Sequence, residues 1–293
     1  MMNSIDGRAA KTHREENFPV ASRVIRAVHR PAILAFYRFV RTADDIADDP
    51  TLAPAEKLCM LDRLEGSLLG RTGAPDPAAE PLRVALRQHG LSPVHALELL
   101  EAFRLDVGKS RYASWSELMD YSRLSAMPVG RFVLDVHGAP ASLWPFSDPL
   151  CAALQVINHL QDCGADYRAL DRVYIPLDAL SRHGASVHDL GAQSASTGLR
   201  ACLSELAERA GELVRESAAL PRGVDWRLGV EIATIQQAAI RLVGLLRRRD
   251  PLSQPVRLGK PGFAAAILSA ALGEAAARLR HRPPAARGTE AAP

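Results

Sequence analysis

Two clusters of acidic and polar residues lie far apart in the 293-residue chain, each at helical spacing. The first cluster contains Tyr37, Arg41, Asp44, Asp45 and Asp48. The second contains Gln155, Asn158, Asp162 and Asp166. Residues three, four, seven and eleven positions apart share one face of an α-helix, so each cluster predicts a stripe of oxygen ligands. Two such stripes facing each other would hold Mg²⁺ ions and, through them, a diphosphate.

The first acidic stripe has two interpretations when its spacing is considered alone. Four aspartates crowd the end of a predicted helix before Pro50, where the negative end of the helix dipole opposes them. Asp is also a poorer helix former than Glu. A bound cation would offset both effects, whereas a solvated acidic helix face remains the simpler alternative.

The second acidic stripe repeats the DxxxD spacing with Asn and Gln upstream, which are neutral oxygen donors. Two stripes of this form favour metal and diphosphate chemistry over a wet helix surface. Arg172 and Tyr174 follow the second stripe and are expected to contact the diphosphate. A surface arginine and a packed tyrosine are the alternative for this pair.

Apolar residues recur at helical spacing along nearly the whole chain, and runs of β-branched alternation are absent, so the predicted fold is all-α. Helices are predicted at 20–29, 31–48, 54–69, 80–89, 93–108, 115–137, 147–168, 195–219, 225–247 and 263–279. Loops are expected at 73–81, 137–149, 178–194 and 249–261, where Pro and Gly accumulate. No segment reads as an interdomain linker, which favours a single helical domain.

Composition limits the function classes further. Hydrophobic residues make up 47% of the chain and the net charge is only +3, with no basic run interleaved with aromatics, so no nucleic-acid partner is expected. The four cysteines lack CxxC pairing and are expected to be buried thiols of a reducing compartment. No secretion signal and no stretch long enough to span a bilayer are apparent, so a cytoplasmic location is expected.

The two motifs read Y-x3-R-x2-D-x3-D and Q-x2-N-x3-D-x3-D without a gap. In this the chain resembles the squalene/phytoene synthase family, with similarity running from Glu16 to about Tyr174. The resemblance implies a single-domain, all-α isoprenoid-synthase bundle with a central cavity. The catalytic domain is expected at 15–280, after a flexible N-terminus at 1–14. The composition of 281–293 predicts a disordered tail.

Within that family, the amino-acid sequences of several segments resemble those of the bacterial branch that forms hydroxysqualene in hopanoid biosynthesis. These segments are ENFPVAS, FYRFVRTADDIADDP, AFRLDVGKSRY, SAMPVGR and NHLQDCGADYRALDRVYIPLDAL. The late segment PVRLGKPGF, at 255–263, is instead nearer to the sister branch that makes presqualene diphosphate.

The resemblance implies a lyase that converts presqualene diphosphate and water into hydroxysqualene and diphosphate, with Mg²⁺ as cofactor. The implied metal ligands are Asp44, Asp45, Asp48, Asn158, Asp162 and Asp166. Catalytic roles fall to Tyr37, Arg41 and Tyr121. Substrate contacts fall to Phe18, Ser125, Val129, Gly130, Gln155, Arg172 and Tyr174. For Tyr121 simple packing is the alternative, and for the small residues it is close packing between helices.

Two other functions stay open at this point. One is head-to-head condensation of two farnesyl diphosphates to presqualene diphosphate, squalene or dehydrosqualene, and the other is a non-catalytic helical scaffold. The implied partner is the isoprenoid diphosphate itself, with functional coupling to a presqualene diphosphate synthase. The apolar stretch 263–279 fits a packed terminal helix or a helix resting on the inner membrane surface.

Overall fold

The computed structural model describes residues 25–71, 73–259, 261–262 and 264–270. Predictions that concern Phe18, the N-terminal segment 1–14 and the tail 281–293 therefore lie outside the described residues. The division into a catalytic domain and two terminal segments stays a prediction.

The described residues form helices and contain no strand, which confirms the all-α prediction. The first six helices are α1 (Arg30–Asp48), α2 (Pro54–Leu68), α3 (Ala79–His89), α4 (Val94–Gly108), α5 (Trp115–Ser125) and α6 (Met127–Val136). The next five are α7 (Trp144–Leu170), α8 (Leu177–Arg182), α9 (Thr197–Glu216), α10 (Leu220–Gly223) and α11 (Trp226–Leu246). Residues 261–262 and 264–270 are also helical.

Several predicted boundaries were wrong. Residues 25–29 form a turn rather than the end of a helix. The predicted helix 115–137 is broken at Ala126. Pro128 has no N–H for the carbonyl of Leu124, which disfavours a continuous helix, and it lies instead in the first turn of α6. The predicted loop at 137–149 is shorter, since α7 begins at Trp144 and includes Pro149. The predicted loop at 178–194 contains most of α8 and a 3₁₀ turn.

The buried apolar residues form two large clusters and a smaller third one, and the two acidic stripes belong to different large clusters. One cluster packs α1 to α4, with Phe39 of α1 fully buried, and adds Phe132 of α6. The other packs α5, α7, α9 and α11, with Ile157 of α7 fully buried. Each stripe is therefore anchored by the apolar face of its own helix.

An isolated parallel β-bridge between Arg111 and Val173 joins the segment after α4 to the segment after α7. Val173 N donates to Ser110 O at 2.9 Å. Asp171 ends α7 in the left-handed region, at φ 50°, which turns the chain back toward α4. After this turn Arg172 reaches the ends of α1 and α4, and Tyr174 packs against the cluster that contains α7.

Two expectations from the sequence need correction, one about the cysteines and one about membrane-spanning stretches. Cys59 is exposed, whereas Cys163 and Cys202 are buried and Cys151 is partly buried; all four are free thiols. The helix α11 is long and apolar enough to cross a membrane by length and composition, although no such stretch was expected. Of its most apolar window 56% is buried inside the protein, and a packed core helix satisfies the same criterion.

Candidate active site

The first stripe lies on the side of α1 opposite the buried face that includes Ile33, Phe36 and Ala43. Within the stripe Asp45 is exposed and the other four residues are partly buried. Arg41 binds two of its carboxylates at once: Nη1 lies 2.9 Å from Asp44 Oδ2 and Nη2 lies 2.7 Å from Asp45 Oδ1. Tyr37, one turn upstream, is partly buried. The arginine therefore offsets part of the negative charge that the stripe concentrates at the end of α1.

Asp44 and Asp45 lie in different surroundings. Burial and the neighbouring charge of Asp48 raise the pKa of Asp44 to about 7, while Arg41 opposes that rise. Asp45 is exposed. A carboxyl that other carboxylates repel is stabilised in its charged form by a cation, so Asp44 and Asp48 are better placed than Asp45 to hold one.

The second stripe lies on α7, whose opposite face buries Ala153, Ile157 and Leu160. Gln155, Asn158, Asp162 and Asp166 are all partly buried and engaged in contacts or electrostatic interactions. Gln155 Nε2 donates to Ser125 Oγ at 2.6 Å. This bond ties the stripe to the end of α5, where Tyr121 also lies.

Arg172 connects the end of the first stripe with the segment that follows the second. Its side chain is mostly buried, Nη1 donates to Asp48, and Nη2 donates to the main-chain oxygens of Ala47 and Asp106 at 3.4 and 3.3 Å. The alternative of a surface arginine is therefore wrong. A guanidinium held in this way has a planar fork suited to diphosphate oxygens.

A group of aromatic residues adjoins Arg172; Tyr112 and Tyr121 are buried, and His159 and Tyr174 are partly buried. The ring of Tyr174 stacks on His159 with centroids 3.7 Å apart, and the rings of Tyr121 and Tyr112 lie 5.7 and 5.6 Å from it. Tyr121 Oη donates to Asp106 at 2.6 Å. Burial lowers the pKa of His159 to about 3, with a smaller contribution from the charge of Arg172. The imidazole is therefore neutral.

Sequence reasoning missed two members of the aromatic group, Tyr112 and His159, and the carboxylate beside it, Asp106. Burial raises the pKa of Asp106 to about 6, against the opposing effects of the Tyr121 hydrogen bond and the Arg172 charge. A lone aspartate between apolar positions of a predicted helix, as in AFRLDV, was the one available signal. His159 had none, because nothing near it in sequence marks its contact with Tyr174.

The small residues near α6 have separate environments. A Cβ on Gly130 would collide with the side chains of Ser147 and Cys151, so this glycine allows close packing of α6 on α7. Val129 is exposed. Gly164 of α7 lies against Leu252, whose Cδ2 would be 2.6 Å from an added Cβ, so this glycine allows close packing of α7 against the loop after α11.

The residues that would hold Mg²⁺ fit that ion by donor chemistry. Asp44 and Asp48 on α1 face mutual repulsion, and α7 supplies Asn158, Asp162 and Asp166. Within the described part of the chain no three His, Cys, Asp or Glu side chains converge as a finished metal site. Mg²⁺ is commonly bound through one or two carboxylates plus substrate phosphates, and an incomplete protein cage of this kind suits it.

The structure thus joins some predicted site residues and leaves others apart. It brings Asp48 to Arg172, Gln155 to Ser125, and Tyr121 to Tyr174. It does not bring Val129 or Asp45 into this set of contacts. The catalytic, substrate-binding and metal roles assigned from sequence stay predictions.

Known proteins resemble the chain over most of its length. The squalene/phytoene synthase family model matches residues 11–261. The hydroxysqualene synthase of Rhodopseudomonas palustris is 53% identical to this chain, and the alignment covers 92% of each protein. That of Sinorhizobium fredii is 56% identical, and the alignment covers 86% of each protein. The hydroxysqualene synthase of Zymomonas mobilis is 47% identical over 92% of this chain and 91% of its own.

Solved structures agree with the fold. The crystal structure of squalene synthase HpnC from Alicyclobacillus acidocaldarius superposes with a TM-score of 0.70 at 33% identity, covering 78% of this chain and 87% of that one. A dehydrosqualene synthase superposes with a TM-score of 0.76 at 21% identity, covering 86% and 89%, and shares the fold. The chain therefore belongs to the squalene/phytoene synthase family.

Proposed function

We propose that this protein is an enzyme that converts presqualene diphosphate and water into hydroxysqualene and diphosphate, within hopanoid biosynthesis. Its resemblance to three hydroxysqualene synthases at 47 to 56% identity supports this activity. The observation that carries the proposal is the contact of Arg172 with Asp48, beside Tyr121 and Tyr174. It joins diphosphate-binding and carbocation-facing groups in one place.

The residues of the chain divide the reaction between them. Asp44, Asp48, Asn158, Asp162 and Asp166 would hold Mg²⁺. That ion, when bound, stabilises negative charge on the leaving diphosphate.

Arg41 and Arg172 supply fixed positive charge to the same oxygens. The C–O bond to the diphosphate breaks, and the resulting cyclopropylcarbinyl cation opens its ring. The π-faces of Tyr121 and Tyr174 stabilise the cation, and water then captures it as the alcohol.

The substrate assignment is tested by product analysis. Purified protein is incubated with Mg²⁺ and presqualene diphosphate, without nicotinamide, and separately with farnesyl diphosphate alone. We expect hydroxysqualene and equimolar diphosphate from the first reaction and no thirty-carbon product from the second. A thirty-carbon product from farnesyl diphosphate alone would overturn the proposal.

Head-to-head condensation of farnesyl diphosphate is the second candidate. The segment 255–263 favours it, and so does the 33% identity to a solved protein named as a squalene synthase. The farnesyl diphosphate reaction above separates the two activities, because only the condensing enzyme consumes that substrate.

We also propose that the protein stays in the cytoplasm and contacts the inner membrane surface from its C-terminal side. Arg241 of α11 donates to Ala265 O at 3.2 Å, which packs the final described helix on α11. Ile240, Ile267 and Leu268 are 48, 45 and 61% exposed there. Co-sedimentation with anionic vesicles tests this proposal, and Leu268→Glu should abolish the binding.

A further inference from the structure

Asp106 belongs to neither acidic stripe, yet it is the most enclosed carboxylate beside the predicted site. It lies on α4 and is 8% exposed. Its Oδ2 accepts the proton of Tyr121 Oη at 2.6 Å. Its Oδ1 is buried and has no hydrogen-bond partner within the described part of the chain. A buried carboxylate with an unsatisfied oxygen is costly for a fold, so this position calls for a functional reason.

The charge of Asp106 is only partly compensated. Arg172 donates to its main-chain oxygen at 3.3 Å, but the guanidinium forms its ion pair with Asp48. Burial raises the pKa of Asp106 to about 6. The carboxyl is therefore ionised near neutral pH and is a better proton acceptor than an ordinary aspartate.

The hydrogen bond to Asp106 also fixes the direction in which the Tyr121 hydroxyl donates its proton. A phenol has one proton to donate, and that of Tyr121 goes to the carboxylate. The phenolic oxygen can then act only as an acceptor, toward the nearby Tyr174 hydroxyl or toward a water molecule. Such a water donates one hydrogen to Tyr121 and keeps its own lone pair available for an electrophile.

We propose that Asp106 receives, through the Tyr121 hydroxyl, the proton that water loses when it captures the carbocation. The inference rests on the proposed function. The water lone pair forms the new C–O bond, and one O–H bond of that water breaks. Its proton moves to the Tyr121 oxygen while the Tyr121 proton moves to Asp106 Oδ2. A cation, water and a carboxylate become a neutral alcohol and a carboxylic acid, and the tyrosine is unchanged.

The test compares Asp106→Asn with the parent protein, using presqualene diphosphate and Mg²⁺ and measuring diphosphate release and thirty-carbon products separately. The amide oxygen of Asn still accepts from Tyr121 but takes no proton. We expect the hydroxysqualene fraction to fall at least ~10-fold, a low value for general-base assistance, while diphosphate release changes less than ~3-fold. At pH values below about 6, the fraction of product that is hydroxysqualene should also fall for the parent protein and should not fall for the variant.

Three further variants keep the result interpretable. Tyr121→Phe preserves the ring and removes the relay hydroxyl, so it should give the same product shift, and the double variant should add nothing. Asp120→Asn neutralises the exposed carboxylate next to Tyr121 in sequence and should behave like the parent. Melting temperatures of the parent and the four variants identify any variant that fails to fold. If Asp106→Asn or Tyr121→Phe fails to fold, the product fraction of the other single variant tests the relay.

The outcomes separate the two proposals. A parent that forms no hydroxysqualene overturns the proposed function and the relay with it. A parent that forms hydroxysqualene together with an Asp106→Asn or Tyr121→Phe protein that keeps the parental product fraction overturns the relay alone, and the proton then leaves by another acceptor such as the departing diphosphate.

Discussion

Arg172 pairs with Asp48 across 124 residues of sequence, and this contact joins the two large hydrophobic clusters of the protein. The same guanidinium reaches the main-chain oxygens of Ala47 and Asp106. One side chain therefore links α1, α4 and the segment after α7. The stability of the site and the binding of diphosphate both depend on this link.

Replacement of Arg172 by Ala should lower the free energy of unfolding by about 2 kcal/mol, because it leaves Asp48 without its ion-pair partner and removes a donor from the buried main-chain oxygen of Asp106. Arg172→Lys should recover part of that loss, since an ammonium restores the charge but not the planar fork. Urea unfolding without ligands measures both. The control is Arg111→Ala, which breaks an ion pair with the exposed Asp171 and should cost less than about 1 kcal/mol. Equal losses for Arg111 and Arg172 would contradict this account.

Addition of Mg²⁺ with inorganic diphosphate should raise the melting temperature of the parent by ~5 °C, the rise for a ligand at about 100 times its dissociation constant. Asp44→Ala and Asp162→Ala should each abolish the rise, because each removes a ligand from one stripe. Asp45→Ala, at an exposed position, should retain most of it. Differential scanning fluorimetry with and without EDTA measures the shifts, and Asp120→Ala serves as a control that keeps the full rise. A full rise in Asp44→Ala and Asp162→Ala would support the scaffold interpretation.

The four cysteines should divide into one reactive and three protected thiols. Cys59 is exposed, whereas burial raises the pKa of Cys151 to about 11 and those of Cys163 and Cys202 to about 12. At pH 8 a thiol-specific reagent should modify Cys59 rapidly in the native protein and all four in denaturant.

The same pKa shifts fix a dependence of stability on pH. Because the folded pKa values lie above the ordinary thiol value of about 9, burial of these neutral thiols contributes stability below pH 9. That contribution should be lost progressively as the pH rises toward 11 and 12. In the labelling experiment, loss of the rapid reaction in Cys59→Ser would confirm that Cys59 is the reactive thiol. Rapid modification of two or more thiols in the native protein would disprove the division into one reactive and three protected thiols.

Gly130→Ala should destabilise the protein by about 1–3 kcal/mol, since the added methyl group overpacks the contact of α6 with Ser147 and Cys151. Gly244→Ala is the matched control in helix α11, where an added Cβ meets nothing within 4 Å. It should stabilise by about 0.5–1 kcal/mol through helix propensity. Thermal unfolding of the two variants gives the difference, and a neutral Gly130→Ala would show that α6 and α7 separate at no cost.

The positions of the two stripes could be predicted because they depend on local periodicity alone. The apolar positions of α1 and α7 fix which face is buried, and the oxygen ligands follow on the other face. The break at Ala126 could also have been predicted, because Pro128 disfavours a continuous helix at this point. It was missed because the apolar pattern continues through it.

The contacts between the stripes could not be predicted in the same way. The pairing of Arg172 with Asp48 depends on the left-handed turn at Asp171 and on the β-bridge from Arg111 to Val173. Neither has a sequence signature. Asp106 was overlooked for a related reason, because its partner Tyr121 lies on another helix.

The division of the buried residues into separate clusters has a consequence for recombination between relatives. Most of the cluster around α1 comes from residues before Phe103, and most of the cluster around α7 comes from residues after Tyr112. A crossover in the segment 109–111 would therefore exchange one acidic stripe together with nearly all of its supporting side chains. Chimeras made there should fold, and they would attribute differences in product between two parents to one half of the molecule.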